Sequence, residues 1–161
     1  MAQPLRVDET SLSPVGGTAT EVNQAAYQAY QILHVGFTIA PIIAGVDKFF
    51  NFLATWTSYL APIIPNTLRV TPDMFMRAVG VIEIIAGLIV AVKPRIGAWI
   101  VGLWLCGIII NLLLVPGIFA YHAGHAWGLD IAVRDLGLAL GAFALGKLSQ
   151  VYDRATASRA T

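Results

Sequence analysis

Acids and bases occur inside or beside long apolar stretches of this chain, where an unpaired charge is costly. Glu83 is the clearest case, because it is the single carboxylate in AVGVIEIIAGLIVAV, residues 78–92. A carboxylate in such a place can accept a proton, bind a ligand or fix the register of neighbouring helices. The set predicted to form a buried polar network is Asp47, Lys48, Arg77, Glu83, Asn111, Asp130, Arg134 and Asp135.

Helical spacing puts these polar groups on faces that also carry glycine. Asp130, Arg134, Gly137 and Gly141 follow one another at steps of four, three and four, which defines one stripe of a helix. Glu83 shares a face with two glycines in the same way, so we expect it to point into a helix bundle near a cation. Lys48, Arg77 and Arg134 are the candidate cations, and our hypothesis assigns Arg77 or Arg134. The predicted helix-packing glycines are Gly80, Gly87, Gly137 and Gly141.

The three histidines are the other side chains that could do chemistry. His34 is interpreted as a satisfied core or interfacial histidine, with a hydrogen bond to a quinone headgroup and haem ligation as alternatives. His122 and His125 form a His-x-x-His pattern followed by Asp130, which could bind a metal. The spacing is loose and includes Gly124, so interfacial solvation of both rings is the favoured interpretation. We therefore predict no metal site.

Long apolar stretches decide the class of protein. Only 12% of the 161 residues are charged, whereas a soluble domain carries about 25%. Windows of about 20 apolar residues predict four transmembrane helices. The predicted fold is an all-α membrane protein, a four-transmembrane-helix bundle with a long, aromatic first extracytoplasmic loop. The predicted spans are residues 27–47, 75–92, 96–114 and 129–148.

The remaining segments are short. Residues 1–25 are predicted to be a loosely ordered polar tail with at most a short surface helix, and they lack the apolar centre of a signal peptide. Residues 26–150 form the transmembrane domain, and residues 151–161 form a short C-terminal tail. Residues 48–73 carry FFNFLATWTSYLAPIIP and are predicted to lie at the outer interface or to re-enter the membrane, because Pro62 and Pro65 argue against a full span.

The distribution of basic residues predicts the orientation. Lys93 and Arg95 lie in a tight connection between the second and third spans, and basic residues in short loops stay in the cytoplasm. With four spans, both termini are then cytoplasmic. A net charge of +1 gives no indication of nucleic-acid binding. The single cysteine, Cys106, excludes an internal disulfide and a Cys-x-x-Cys redox pair.

Three short motifs resemble the DoxX-like (DoxX/DoxD) family of small four-helix membrane proteins. AGVDKFFN, residues 44–51, resembles the Ala-Gly-hydrophobic-Asp-Lys turn that ends the first helix of that family. GVIEIIAG, residues 80–87, resembles its second-helix Gly-x-x-Glu-x-x-x-Gly pattern, and Arg134-Asp135-Leu136 resembles the Arg-Asp start of its last helix. The similarity covers about residues 27–148. The long first loop and the polar N-terminal tail depart from the shortest members.

The resemblance implies a four-helix membrane bundle, and it gives a working hypothesis for function. The family is named after a subunit of a thiosulfate:quinone oxidoreductase, so we expect a non-catalytic or co-catalytic subunit of a redox or respiratory assembly in a bacterial cytoplasmic (inner) membrane. Quinone is the candidate cofactor, with none intrinsic. Expected partners are the lipid bilayer and other membrane subunits or a second copy. The alternatives are a small transporter or channel in which Glu83 and Asp135 relay protons, and an assembly factor for another membrane protein.

Overall fold

The computed structural model describes residues 19–115, 121–122, 125–126 and 129–159, with side-chain surroundings for residues 19–115 and 129–152. Nearly all of this is helical. The elements are α1 (Ala19–Phe50), a 3-10 helix (Trp56–Tyr59), α2 (Ile63–Leu68), α3 (Pro72–Val92), α4 (Pro94–Leu113), β1 (Tyr121–His122), β2 (His125–Ala126) and α5 (Leu129–Arg159). The two short strands pair with each other in antiparallel fashion.

Local signals in the sequence explain where the helices begin and end. After α1, Asn51 adopts a left-handed conformation with φ 52°, which asparagine tolerates better than most residues. The Thr71 side chain accepts a hydrogen bond from the Met74 N–H and caps α3, whose first residue is Pro72. Pro94 in turn opens α4 directly after Lys93, so α3 and α4 form a tight antiparallel pair.

The four long helices form one bundle. α1 packs against α3 and α5, and α4 packs against α3 and α5. The core between them holds Phe37, Val90, Ala98, Val101 and Leu145. At the end of the bundle where α4 finishes, a smaller cluster forms around Leu112 and Ala132. The polar side chains considered below therefore lie between packed helices.

Glycine sets the closest approach between α1 and α3. A Cβ atom on Gly45 would lie 2.5 Å from the Gly80 carbonyl oxygen, and one on Gly80 would lie 2.6 Å from the Gly45 carbonyl oxygen. Gly87 lies in the same way against Ile42 and the Thr38 carbonyl. The helices therefore approach most closely where Gly45 and Gly80 face each other without side chains, and Gly87 leaves room for Ile42.

Three described helices are long and apolar enough to cross a membrane: α1, α3 and α4. The outward surface of the bundle is correspondingly apolar, with Ile32, Ile85, Leu103 and Leu140 all exposed. The prediction of an all-helical integral membrane protein agrees with this finding. α5 is also long, but three charged residues interrupt the apolar stretch at its beginning, namely Asp130, Arg134 and Asp135.

Several predicted boundaries differ from the structure. α1 begins at Ala19, inside the segment predicted as a polar tail, and α5 continues to Arg159, through most of the predicted C-terminal tail. At both ends the helical hydrogen bonds continue past the apolar stretch into polar sequence. The connection between α1 and α3 folds into the 3-10 helix and α2, and Leu60, Ala61 and Pro65 in it are buried.

Candidate functional site

Glu83 forms a buried ion pair with Lys48. The Lys48 Nζ donates to Glu83 Oε2 over 2.6 Å, and the two side chains are only 5% and 8% exposed. Lys48 lies near the end of α1 and Glu83 near the middle of α3, directly beside the close contact of Gly45 and Gly80. The glycines thus bring the helices near enough for a direct bond, and the pair joins α1 to α3.

Two tryptophans complete the surroundings of the ion pair. The Trp104 Nε1–H of α4 donates to the second carboxylate oxygen of Glu83 over 3.4 Å. The Trp56 ring lies on the Lys48 ammonium, with Nζ 3.8 Å from the ring centroid, which is a cation–π contact. Each charge therefore has an ionic partner and an aromatic one, which offsets part of its desolvation.

Asp47 anchors the segment that follows α1. Its carboxylate accepts hydrogen bonds from the backbone N–H groups of Phe52 and Leu53 and from the Trp56 indole N–H, the last over 2.7 Å. The side chain is buried beneath this segment. The adjacent residues Asp47 and Lys48 contact the same ring in different ways. Asp47 accepts from the Trp56 indole N–H, and Lys48 lies over the face of that ring.

Asn111 holds the other end of the same segment against α4. Its amide NH₂ donates to the Tyr59 carbonyl over 2.7 Å, and its amide oxygen accepts from the Ala61 N–H over 3.0 Å. These two bonds satisfy backbone groups that neither the 3-10 helix nor α2 pairs. The segment is therefore bonded to α1 at one point and to α4 at another, and it covers one end of the bundle.

Asp135 is a second partly buried acid, on α5. It lies in the first turns of α5, where Ala132 packs on Leu112 near the end of α4. The Lys48–Glu83 pair can lock α1 and α3 in register. Two acids that are at least partly buried are also groups that can accept and release protons.

Other members of the predicted network lie outside this cluster. Arg77, Asp130 and Arg134 are exposed on the outer surface of the bundle, so the prediction that they belong to a buried network is wrong. The hypothesis that Arg77 or Arg134 neutralises Glu83 is also wrong, because Lys48 occupies that position. Spacing along one helix could not distinguish the three cations, since the choice depends on which helices are neighbours.

The four predicted packing glycines divide into two kinds. Gly80 and Gly87 lie against α1, and a Cβ atom on Gly141 would lie 3.2 Å from the Phe37 ring. Gly137 is exposed, and a Cβ atom there would meet nothing within 4 Å. The prediction that Gly137 packs within the bundle is wrong, because the buried face of α5 runs through Ala132, Ala139 and Ala142.

His34 forms a hydrogen bond and a ring contact inside the bundle. Its Nε2 lies 2.9 Å from the Val90 carbonyl oxygen, and since a carbonyl only accepts, this nitrogen carries the proton. The ring also packs on Tyr30, which contacts Tyr152 of α5. His34 therefore fits the interpretation of a satisfied core histidine. A quinone headgroup could meet it only through Nδ1, unless the bond to Val90 were broken.

The two remaining histidines lie on the short strands β1 and β2. The backbones of His122 and His125 pair across the short strands, and their side chains lie outside the described residues. In the part of the chain that is described, no group of three or more His, Cys, Asp or Glu side chains could hold a metal ion. Cys106 is a free, half-buried thiol on α4.

Two important residues were missed in the sequence. Trp56 looks like an interfacial anchor, and Trp104 is notable only because it shares a helical face with Asn111. Their contacts with Lys48 and Glu83 depend on how the segment after α1 folds back and on the place of α4 beside α3. Helical spacing within one span carries no information on either arrangement.

Comparison of this chain with family models, with curated proteins and with solved structures gives no match.

Proposed function

We propose that this protein is a non-catalytic integral membrane subunit with four spans, associated with a redox or respiratory assembly of a bacterial cytoplasmic membrane. The observation that carries the proposal is that the polar side chains inside the bundle bind one another. Glu83 pairs with Lys48, Asp47 binds three N–H groups, and His34 donates to Val90. Among the described residues, every buried side-chain nitrogen or oxygen has a hydrogen-bond partner. Polar groups that are bonded to one another hold the helices in place, which supports a structural role for this protein.

The fourth span in this proposal is α5. It runs beside α1 and α4, and its residues 136–146, LGLALGAFALG, contain no charge. Asp135 is half-buried, which removes part of one charge from the outer surface. Lys93 and Arg95 in the tight turn between α3 and α4 favour a cytoplasmic position for that turn and for both termini. The segment from Asn51 to Thr71 then covers the outer end.

The assembly is proposed from the resemblance to DoxX-like proteins, and quinone is its candidate cofactor. Purification from native membranes in a mild detergent, followed by absorption spectroscopy and mass spectrometry, tests it. We expect a stable membrane partner together with haem, flavin or quinone. A protein that purifies without any partner under conditions that preserve other membrane complexes would contradict the proposal.

A matched variant separates a scaffold from a chemical site. Lys48→Met combined with Glu83→Leu removes both charges of the buried pair and keeps side chains of similar size. If the pair only holds helices together, the double variant folds and still purifies with the partner. Loss of the partner's activity in a folded complex that retains all its subunits would show that the pair takes part in chemistry.

One observation favours a second candidate, a small proton-coupled transporter. Glu83 is buried and Asp135 is partly buried in the same bundle, and positioned carboxylates can accept and release protons. Proteoliposomes with a pH-sensitive dye inside test this directly. Proton flux that is lost in both Glu83→Gln and Asp135→Asn, with folding retained, would favour the transporter over the subunit.

A further inference from the structure

Two cations and a tryptophan meet at the end of the bundle where α4 begins. Arg95 and Trp99 are four residues apart, so they lie on one face of α4 with Cβ atoms about 5–6 Å from each other. The Lys147 ammonium group of α5 comes to the same ring, with Nζ 5.9 Å from the Trp99 ring centroid. All three side chains are exposed. Arg95, Trp99 and Lys147 together form a basic cluster between two helices.

Packing against α5 fixes the tryptophan of this cluster. The indole ring contacts the Phe143 ring, with centroids 5.1 Å apart. A Cβ atom on Gly146 would lie 3.0 Å from the Trp99 Nε1 atom, so the ring rests on α5 where that helix lacks a side chain. The ring therefore has a defined place between α4 and α5, and Lys147 follows Gly146 directly in the chain.

The positive charge of the cluster is not balanced by neighbouring acids. α4 contains no acidic residue, and residues 136–152 of α5 contain none either. Among the residues whose side chains are described, the salt bridge found is that of Lys48 with Glu83, so neither Arg95 nor Lys147 has an acidic partner there. The cluster thus presents two cations to its surroundings.

The length of α4 places the cluster at the level of lipid headgroups. α4 is apolar enough to cross a membrane and has 20 residues, which makes it about 30 Å long. The hydrocarbon core of a bilayer is also about 30 Å thick, so Arg95 in the first turn of α4 lies at the membrane surface. Trp99, about 6 Å further along the axis, lies at the interface that tryptophan favours. This placement holds for either orientation of the chain.

We propose that the basic cluster binds the headgroup of an anionic phospholipid, with the lipid phosphate between Arg95 and Lys147. The guanidinium group can donate two hydrogen bonds to one phosphate, and the ammonium group adds a second positive charge. Basic residues between transmembrane helices are a known arrangement for binding anionic headgroups. The site goes beyond the proposed function and needs only that α4 crosses a membrane.

The surface beside the cluster fits the acyl chains of such a lipid. Leu103 is one helical turn beyond Trp99 on the same face of α4, and its side chain is 64% exposed. The face is thus cationic at the membrane surface and apolar below it. These two parts match the headgroup and the acyl chains of one molecule, whereas a free phosphate ion would use only the first.

A comparison of lipids tests the proposal on the full-length protein in detergent. Native mass spectrometry gives the affinity for phosphatidylglycerol and for phosphatidylcholine with the same acyl chains. We expect phosphatidylglycerol to bind about tenfold more tightly or better, because the choline ammonium cancels the charge of its own phosphate. Equal affinities would overturn the proposal. Inorganic phosphate at the same concentration should not displace the lipid, and efficient displacement would show a site for free anions instead.

Matched substitutions locate the site. Arg95→Gln and Lys147→Gln each remove one cation, and we expect each to weaken phosphatidylglycerol binding about fivefold. Lys93→Gln removes the same charge two residues before Arg95 and outside the face of α4, and Arg77→Gln removes an exposed cation of α3. Both controls should bind the lipid as wild type does. A loss in Lys93→Gln as large as that in Arg95→Gln would show diffuse attraction to basic residues, which contradicts a defined site.

Folding is controlled with the same proteins. The four substituted side chains are exposed, so thermal stability in lipid-free detergent should stay at the wild-type value. Arg95→Lys keeps the charge and should bind phosphatidylglycerol more tightly than Arg95→Gln does. Equal weakness of these two variants, in proteins of unchanged stability, would contradict recognition of the headgroup by its charge.

Discussion

Glu83 is held inside an apolar helix by contacts from two other helices, and a tryptophan covers its cationic partner. Lys48 neutralises it, Trp104 donates to its second oxygen, and Trp56 covers the ammonium group. Removing one member of a buried pair is strongly destabilising, because the other charge then remains buried and unpaired. Replacing both with apolar groups of similar volume is often neutral. This asymmetry allows the role of the pair to be measured.

The first prediction concerns this pair. Glu83→Leu should lower the free energy of unfolding by about 3–5 kcal/mol, because it leaves Lys48 buried without its partner. Glu83→Gln should be milder, since the amide oxygen still accepts a hydrogen bond. Lys48→Met combined with Glu83→Leu should recover much of the loss, whereas the exposed Arg77→Met combined with Glu83→Leu should recover none. Thermal stability in one detergent gives the comparison, and equal recovery by both combinations would contradict the pairing.

The second prediction concerns Asp47. Asp47→Ala leaves the Phe52 and Leu53 N–H groups and the Trp56 indole without their acceptor, a loss of about 1–3 kcal/mol for each group that stays buried and unpaired. The segment between α1 and α3 should then detach more often. Trypsin cleavage after the exposed Arg69 should become faster, while Asp73→Ala, an exposed acid on α3, should leave the rate unchanged. Equal rates in wild type and Asp47→Ala would show that other contacts hold the segment.

At the scale of elements, the close contact between α1 and α3 depends on two glycines that face each other. The Cβ positions of Gly45 and Gly80 meet backbone oxygens of the facing helix. Backbone atoms cannot rotate away as a flexible side chain can, so any added carbon must separate the helices. The Lys48–Glu83 bond lies beside this contact and would lengthen with it.

The third prediction follows from that geometry. Gly80→Ala should destabilise the monomer by about 1–3 kcal/mol through overpacking, and Gly45→Ala should behave alike. Gly36→Ala and Gly107→Ala are the controls, because open space surrounds them and a helical glycine is about 0.5–1 kcal/mol less favourable than alanine. These two should be neutral or stabilising in thermal unfolding. A Gly80→Ala protein as stable as the controls would mean that α1 and α3 do not approach so closely.

At the scale of the whole molecule, the two ends of the bundle differ. One end has the tight turn with Lys93 and Arg95, and the other is covered by the segment that Asp47 and Asn111 hold. The basic turn marks the cytoplasmic end in the proposed orientation. The ion pair then has the covering segment on its outer side and the aromatic contacts of His34, Tyr30 and Tyr152 toward the cytoplasm.

The fourth prediction tests this orientation. In a Cys106→Ser background, Arg95→Cys should react with a membrane-impermeant maleimide only after the membrane is opened, and Ser58→Cys should react in intact spheroplasts. Both positions are exposed on the protein. A permeant maleimide that labels both variants equally controls for reactivity. The reverse pattern would place the covering segment in the cytoplasm.

The sequence alone determined the class of protein and the approximate helices. Apolar stretches and few charges predict membrane helices because a span must bury its backbone polar groups in its own hydrogen bonds, and α1, α3 and α4 agree with that prediction. Thr71, Pro72 and Pro94 are local signals, so helix ends near them could be foreseen. The sequence also indicated that Glu83 faces other helices, because Gly80 and Gly87 share its face.

Only the tertiary structure decided which residues meet. Lys48 rather than Arg77 or Arg134 pairs with Glu83, because α1 lies beside α3 at the Gly45–Gly80 contact. The place of Trp56 depends on a chain reversal after Asn51 that brings it back over α1. Helical periodicity predicts which residues share a face of one helix. It does not predict which helices are neighbours or how far apart they lie. The arrangement of neighbours, and with it the ion pair, arises from packing between segments far apart in sequence.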